Sequence, residues 1–116
     1  AYLREAGERI KVDALYNQLL AKYPTTYVYH EKYARYLLKE KALDKSLSEA
    51  DLALTFVEGN QPQLYLLKAR ILKEMKQKEK VIEVVNTATQ LKEIQHVRFK
   101  KTLAQLIKLK EEVATK

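Results

Sequence analysis

Residues 27–58 read YVYHEKYARYLLKEKALDKSLSEADLALTFVE, and their pattern indicates the fold class of the chain. Apolar or small residues recur at helical spacing through the first half of this stretch, and they recur again through its second half. The first set is Tyr33, Ala34, Leu37 and Leu38, and the second is Leu43, Leu47, Ala50, Ala53, Leu54 and Val57. A polar joint at residues 40–42 separates them. The stretch therefore predicts two amphipathic helices, and such a pair cannot bury its apolar faces alone.

The same pattern returns along the chain at steps of 34 or 35 residues. Four registers show it: Leu3, Leu37, Leu72 and Ile107; Ala34, Ala69 and Ala104; Val12, Ser46 and Val81; and Leu19, Ala53 and Ala88. The extra residue of the longer steps falls between pairs, where changes in length are tolerated. A fixed period of this length is typical of helical repeats.

Composition excludes several classes of protein. A chain of 116 residues can bury roughly two-thirds of its unfolded surface as one unit. Two glycines and two prolines leave little room for turn-rich β structure, and the absence of cysteine excludes disulfides and thiolate metal sites. No apolar run approaches the ~20 residues of a membrane span. The missing cysteines favour neither the cytoplasm nor an export compartment strongly, and no charged-then-apolar leader begins the sequence.

The repeat divides the chain into four parts. These are a partial repeat at 1–26, full repeats at 27–61 and 62–96, and a capping or partial-repeat helix at 97–116. In each full repeat we call the first helix the front helix and the second the back helix. Gly7 shares the register of the joint residues Lys41 and Lys76, which predicts a tight turn there. The alternative is one continuous helix through Gly7, since an exposed glycine costs a helix only ~1 kcal/mol.

The motif residues resemble the tetratricopeptide repeat. Tyr65, Lys68, Ala69 and Leu72 stand at the family's front-helix positions in one unit, and His30, Tyr33, Ala34 and Leu37 stand there in the other. The back-helix positions are Ser46, Ala50 and Ala53, then Val81, Val85 and Ala88. The family's Trp and Gly are missing, and Lys68 replaces an apolar residue, so another α-solenoid is the alternative. The resemblance implies an all-α, right-handed α-solenoid of antiparallel helix pairs, with five to six helices.

The resemblance also implies where a ligand would bind. In this family the front helices line a concave groove. Residues 27–40, 62–76 and 97–113 carry net charges of +1, +3 and +3, which sum to the net charge of +7 of the whole chain. The candidate groove residues are Lys32, Arg35, Lys39, Gln63, Arg70, Lys73, Arg98 and Lys101, and the last helix also offers Thr102, Gln105 and Lys108. A solvated basic face that only maintains solubility is the alternative.

Catalytic and metal-binding patterns are missing from the sequence. His30 and His96 are isolated, no H-E-x-x-H spacing occurs, and no glycine-rich phosphate loop is present. We therefore expect no enzyme activity, cofactor or metal. Six tyrosines lie within residues 16–36, where their helical spacing favours packing over an aromatic ligand platform.

These observations predict a non-catalytic module that binds an acidic or amphipathic peptide segment of a protein partner. The alternative is a nucleic-acid-binding helical repeat, suggested by the pI of about 9.5 but supported by no recognised motif. The chain begins with Ala rather than Met, which suggests a piece of a longer protein. An apolar end at Tyr2, Leu3 and Ala6 leaves self-association through the cut repeat ends as a further expectation.

Overall fold

The chain is built from α-helices joined by short connections. The computed structural model describes the backbone of residues 2–115 and the side chains of residues 7–115. The helices are α1 (Tyr2–Lys22), α2 (Tyr27–Lys39), α3 (Leu43–Phe56), α4 (Pro62–Glu74), α5 (Lys78–Thr89) and α6 (Lys100–Ala114), and two 3₁₀ turns, Lys92–Gln95 and Val97–Phe99, precede α6. The described backbone contains no strand. The all-α prediction is confirmed, and none of these helices is long and apolar enough to cross a membrane.

The helix ends follow local sequence signals. Helix α1 ends at Lys22 because Pro24 disfavours helical geometry at Tyr23. Helix α4 begins on Pro62, whose missing N–H is harmless in the first turn. The joints after α2 and α4 pass through Lys41 and Lys76, which adopt left-handed φ values of 63° and 61°.

Both joints use the same hydrogen bonds. The Ala42 N–H donates to the Leu37 carbonyl over 2.9 Å, and the Gln77 N–H donates to the Leu72 carbonyl over 3.0 Å. A second bond, from the N–H of the left-handed residue itself, completes each joint. This is the Schellman arrangement, in which a left-handed residue satisfies the last carbonyls of a helix.

Gly7 departs from the expected turn. Helix α1 runs without a break from Tyr2 to Lys22, so the predicted turn at Gly7 is wrong and the alternative of a continuous helix is correct. Gly7 has space around it, with no atom within 4 Å of where a Cβ would stand. The ~1 kcal/mol penalty of an interior glycine is too small to end a helix that no neighbour forces to turn. The apolar end predicted at Tyr2, Leu3 and Ala6 involves side chains outside the described residues.

Small residues bring the helices close together. Ala34, Ser46, Ala50 and Ala53 are buried where α2 packs against α3, and the Ser46 hydroxyl donates to the Ala34 carbonyl over 2.7 Å. One apolar cluster joins α2, α3 and α4, and a larger one joins α4, α5, the 3₁₀ turns and α6. Helix α4 contributes to both clusters, so it is the central element of the core.

Helix α6 buries a different face from the one that the registers indicate. Ala104 and Ile107 are exposed, whereas their register partners on α2 and α4 are almost completely buried. Leu106, Leu109 and Val113 are buried in their place. The reason is that α6 packs back onto α4 and α5, and no helix of the described chain lies over its other side.

Candidate functional site

A cleft lies between α2, α4 and α6. It consists of two adjoining cavities of about 460 and 240 Å³, which share Leu38, Arg70 and Gln105. We call it the basic cleft, and its lining residues are Arg35, Leu38, Lys39, Lys41, Gln63, Leu66, Leu67, Arg70, Lys73, Glu74, Thr102, Gln105, Lys108, Leu109 and Glu112. Because three helices contribute to it, the cleft depends on the packing of the whole chain.

Helix α4 supplies the centre of the basic cleft. Gln63, Leu66, Leu67 and Arg70 are spaced three or four residues apart, which places them on one face of the helix. Leu66 and Leu67 are buried and form an apolar floor, with Leu109 of α6 beside them. Arg70 is exposed at the point where the two cavities meet. The site thus combines an apolar floor with a charged rim.

Cations outnumber carboxylates around the basic cleft by six to two. Three of the cations have acidic partners: Arg35 pairs with Glu31 at 2.8 Å, Lys41 with Glu74 at 3.3 Å and Lys73 with Glu112 at 2.7 Å. The other three, Lys39, Arg70 and Lys108, are exposed and make no hydrogen bond or ion pair with any residue of the described chain. Charges of one sign gathered in a cleft produce a positive potential that attracts anions.

One polar atom of the cleft also lacks a partner. The Gln63 side-chain N–H donates to the Gln61 Oε1 over 3.1 Å, but the Gln63 Oε1 is buried without a hydrogen bond from the residues described. Buried polar atoms are normally hydrogen-bonded. This acceptor lies inside the wall of the basic cleft, where an incoming ligand does not reach it.

Five of the eight residues predicted from the sequence line the basic cleft. They are Arg35, Lys39, Gln63, Arg70 and Lys73. Lys32 and Lys101 are exposed outside it, and Arg98 lines a separate cavity among the loops, with its guanidinium 4.6 Å from the Phe99 ring centre. The front-helix register holds through α2 and α4, but the 3₁₀ turns before α6 move the first part of that segment away.

Sequence reasoning missed part of the lining. Lys41 belongs to the joint after α2, where the repeat predicts no ligand contact, and its left-handed backbone brings it to the cleft. Leu38 and Leu109 have the helical periodicity of core residues, so nothing in the sequence indicated that they line a binding site. Only the packing of the three helices shows that they also contribute to the floor of the basic cleft.

The tyrosine cluster packs between α1 and α2. Tyr16 stacks on Tyr33 with ring centres 4.7 Å apart, and Tyr33 is completely buried. The Tyr33 hydroxyl donates to Asp13 Oδ1 and accepts from the Lys45 ammonium, each over 2.8 Å. Burial raises the pKa of Tyr33 above its usual value, and the hydrogen bond to Tyr33 raises the pKa of Lys45. The cluster thus holds α1, α2 and α3 together.

His30 makes a second buried polar contact. Its Nε2–H donates to the Pro24 carbonyl over 2.8 Å, and its Nδ1 lies 2.7 Å from Glu49 Oε2. Both contacts connect structural elements, since Pro24 lies before α2 and Glu49 lies on α3. Within residues 7–115, no three His, Asp or Glu side chains are grouped as a metal site requires.

Comparisons with family models, with curated proteins and with solved structures returned no match to this chain.

Proposed function

We propose that this chain is a non-catalytic interaction module that binds an acidic peptide segment in the basic cleft. One observation carries the proposal: Lys39, Arg70 and Lys108 surround an apolar floor without acidic partners among the described residues. Acidic side chains of a peptide would supply the missing counter-charges, and an arginine can hold a carboxylate with two parallel hydrogen bonds. Apolar side chains of the same peptide would cover the leucine floor.

One feature supports a peptide over a nucleic acid. Bases bind single-strand readers by stacking on accessible aromatic rings. None of the described aromatic residues lines the basic cleft, so a base bound there would have no ring to stack on.

We also propose that the helices form a right-handed α-solenoid of antiparallel pairs, similar to the tetratricopeptide repeat. What supports this is burial that repeats with the sequence period. Ala34 and Ala69 are both completely buried, and Ala53 and Ala88 are too. The two left-handed joints are 35 residues apart, at Lys41 and Lys76. Low-resolution solution scattering would contradict a solenoid if its curve required a different helix arrangement.

The proposed function is tested by selecting peptides. A random peptide library displayed on phage is exposed to the immobilised wild-type chain. We expect the captured sequences to be enriched in Asp and Glu near apolar residues. The variant Arg70→Glu/Lys108→Glu reverses two of the unpaired cations, and we expect it to lose those sequences because the counter-charges are then repelled.

The matched control is Lys80→Glu/Lys92→Glu. It makes the same change in net charge at two exposed lysines that do not line the basic cleft. This control is expected to capture the same peptides as the wild type. Equal capture by all three folded proteins would contradict the proposal. Tight, salt-sensitive binding of a labelled oligonucleotide, lost in the cleft variant, would favour the nucleic-acid alternative instead.

A further inference from the structure

The two cavities of the basic cleft differ in the charges that line them. Five cations and two carboxylates line the larger cavity, of about 460 Å³, and all three cations without an acidic partner among the described residues are there. The smaller cavity, of about 240 Å³, is lined by two cations and by no described carboxylate. Of these cations, Arg35 already pairs with Glu31 at 2.8 Å, and Arg70 lies where the two cavities meet. Unpaired charge is thus concentrated at one end of the cleft.

The sequences of α4 and α6 account for this difference. Each of the two helices contributes its earlier lining residues to the smaller cavity and its later ones to the larger cavity. Along α4 the lining passes from Gln63 and Leu67 to Lys73, and along α6 it passes from Thr102 to Lys108. Residues three or four apart share one face of a helix. The surface of the cleft therefore changes from uncharged to cationic in the same direction along both helices.

The smaller cavity suits an uncharged side chain. Apart from its two arginines, its lining consists of three leucines and three neutral polar residues, which are Leu38, Leu66, Leu67, Gln63, Thr102 and Gln105. An acidic side chain buried there would lose its water and would find no unpaired cation except Arg70, and burying an unpaired charge is costly. A large apolar side chain would instead cover the leucines and gain free energy by leaving water.

We infer that the basic cleft selects a peptide in which one large apolar residue stands beside an unbroken run of acidic residues. The apolar side chain occupies the smaller cavity, and the acidic side chains occupy the larger cavity. This inference rests on the proposed function and adds to it which part of the peptide each cavity binds. The lining of the larger cavity has a net charge of +3, so three carboxylates would neutralise it. Arg70 lines both cavities, and it binds the acidic side chain next to the apolar one.

Fluorescence anisotropy with three labelled peptides tests this inference on the wild-type chain. Each peptide has one phenylalanine and three glutamates among glycines and serines. Two block peptides carry the glutamates as one run, after or before the phenylalanine, and a split peptide carries the phenylalanine between the glutamates. We expect the tighter block peptide to bind about tenfold more tightly than the split peptide, because the split peptide leaves one glutamate outside the larger cavity and loses a charge-assisted hydrogen bond.

The outcomes of this comparison separate the inference from the proposed function. If the split peptide binds as tightly as both block peptides, the inference is overturned, although the cleft still binds acidic peptides. If none of the three peptides binds, both the inference and the proposed function are contradicted.

A substitution in the smaller cavity provides a second test. Thr102→Lys adds a cation there, and we expect this variant to bind the split peptide more tightly and to lose the preference for a block peptide. The control is Thr87→Lys, which makes the same change at an exposed residue of α5 that does not line the basic cleft. It is expected to keep the wild-type preference. A folded Thr102→Lys variant that also keeps this preference would overturn the assignment of the smaller cavity.

Discussion

At the scale of single residues, buried polar contacts tie the first three helices together. Tyr33 bonds to Asp13 of α1 and to Lys45 of α3, and Ser46 bonds to the backbone of α2. Each of these contacts satisfies a polar group that packing has removed from water. A contact of this kind contributes about 1 kcal/mol, but a buried partner left alone costs more.

The Tyr33 contact gives stability a dependence on high pH. The pKa of Tyr33 is raised in the folded chain, mainly by burial, so the unfolded chain releases that proton first as the pH increases. The raised pKa of Lys45 acts in the same direction, because its charged form is favoured by folding. Stability is therefore expected to be complete below about pH 10 and to decline above it.

Thermal unfolding measured from roughly pH 9 to 11 tests this dependence. Tyr33→Phe removes the phenol and is expected to flatten the decline in Tm, although it lowers Tm overall. Tyr23→Phe, at an exposed tyrosine, is the control and should keep the wild-type slope. Equal slopes for the wild type and Tyr33→Phe would show that Tyr33 does not cause the decline.

His30 and Glu49 form a pair that the next repeat replaces with apolar residues. The same registers hold Tyr65 and Val84, which pack at the edge of the larger apolar cluster. We predict that His30→Leu costs about 2 kcal/mol, because the mostly buried Glu49 carboxylate loses its partner. The double variant His30→Tyr/Glu49→Val copies the next repeat and is expected to recover most of that loss. Urea unfolding measures both, and a double variant less stable than His30→Leu would contradict the equivalence of the two pairs.

At the scale of helices, the sequence predicted type and order well and contacts less well. The ends of α1 and α4 follow from Pro24 and Pro62, whose effects on the backbone are local. The turn predicted at Gly7 did not form. Its register partners, Lys41 and Lys76, lie in turns because the helix that follows each of them packs back against the helix before it. The face of α6 that the registers predict to be buried is exposed for the same reason, because burial of Ala104 requires a neighbouring helix that the described chain does not provide.

Glycine substitutions separate the two kinds of joint position. Lys76→Gly is expected to stabilise the chain by about 1 kcal/mol, because Lys76 holds a left-handed φ that glycine adopts without strain. Gly7→Ala is expected to stabilise it by a similar ~1 kcal/mol, because Gly7 lies in a helix with free space for a Cβ. Chemical unfolding measures both changes. A loss of stability in Gly7→Ala would indicate the left-handed turn that α1 lacks.

At the scale of the whole molecule, the basic cleft depends on parts that the sequence places far apart. Arg35, Arg70 and Lys73 follow the front-helix register, so their shared side could be predicted. Lys41 and Glu112 could not, because their places in the cleft depend on how the joint and α6 pack. The same packing exposes the unpaired cations that carry the proposed function.

The cations of the basic cleft differ in whether they have an acidic partner. Lys73 and Lys41 already pair with Glu112 and Glu74, which neutralise part of their charge. Lys39, Arg70 and Lys108 have no such compensation among the described residues. Substitution of these three cations is therefore expected to weaken peptide binding most. Substitution of cations in exposed salt bridges elsewhere is expected to have little effect on binding.

Backbone amide NMR during titration with a selected acidic peptide shows where the peptide binds. We expect the shift changes to concentrate at Leu38, Gln63, Arg70, Gln105 and Lys108, on three helices at once, and we expect Arg70→Glu/Lys108→Glu to abolish them. Changes centred on Arg98 and the loop cavity, or on the tyrosine cluster, would contradict binding in the basic cleft.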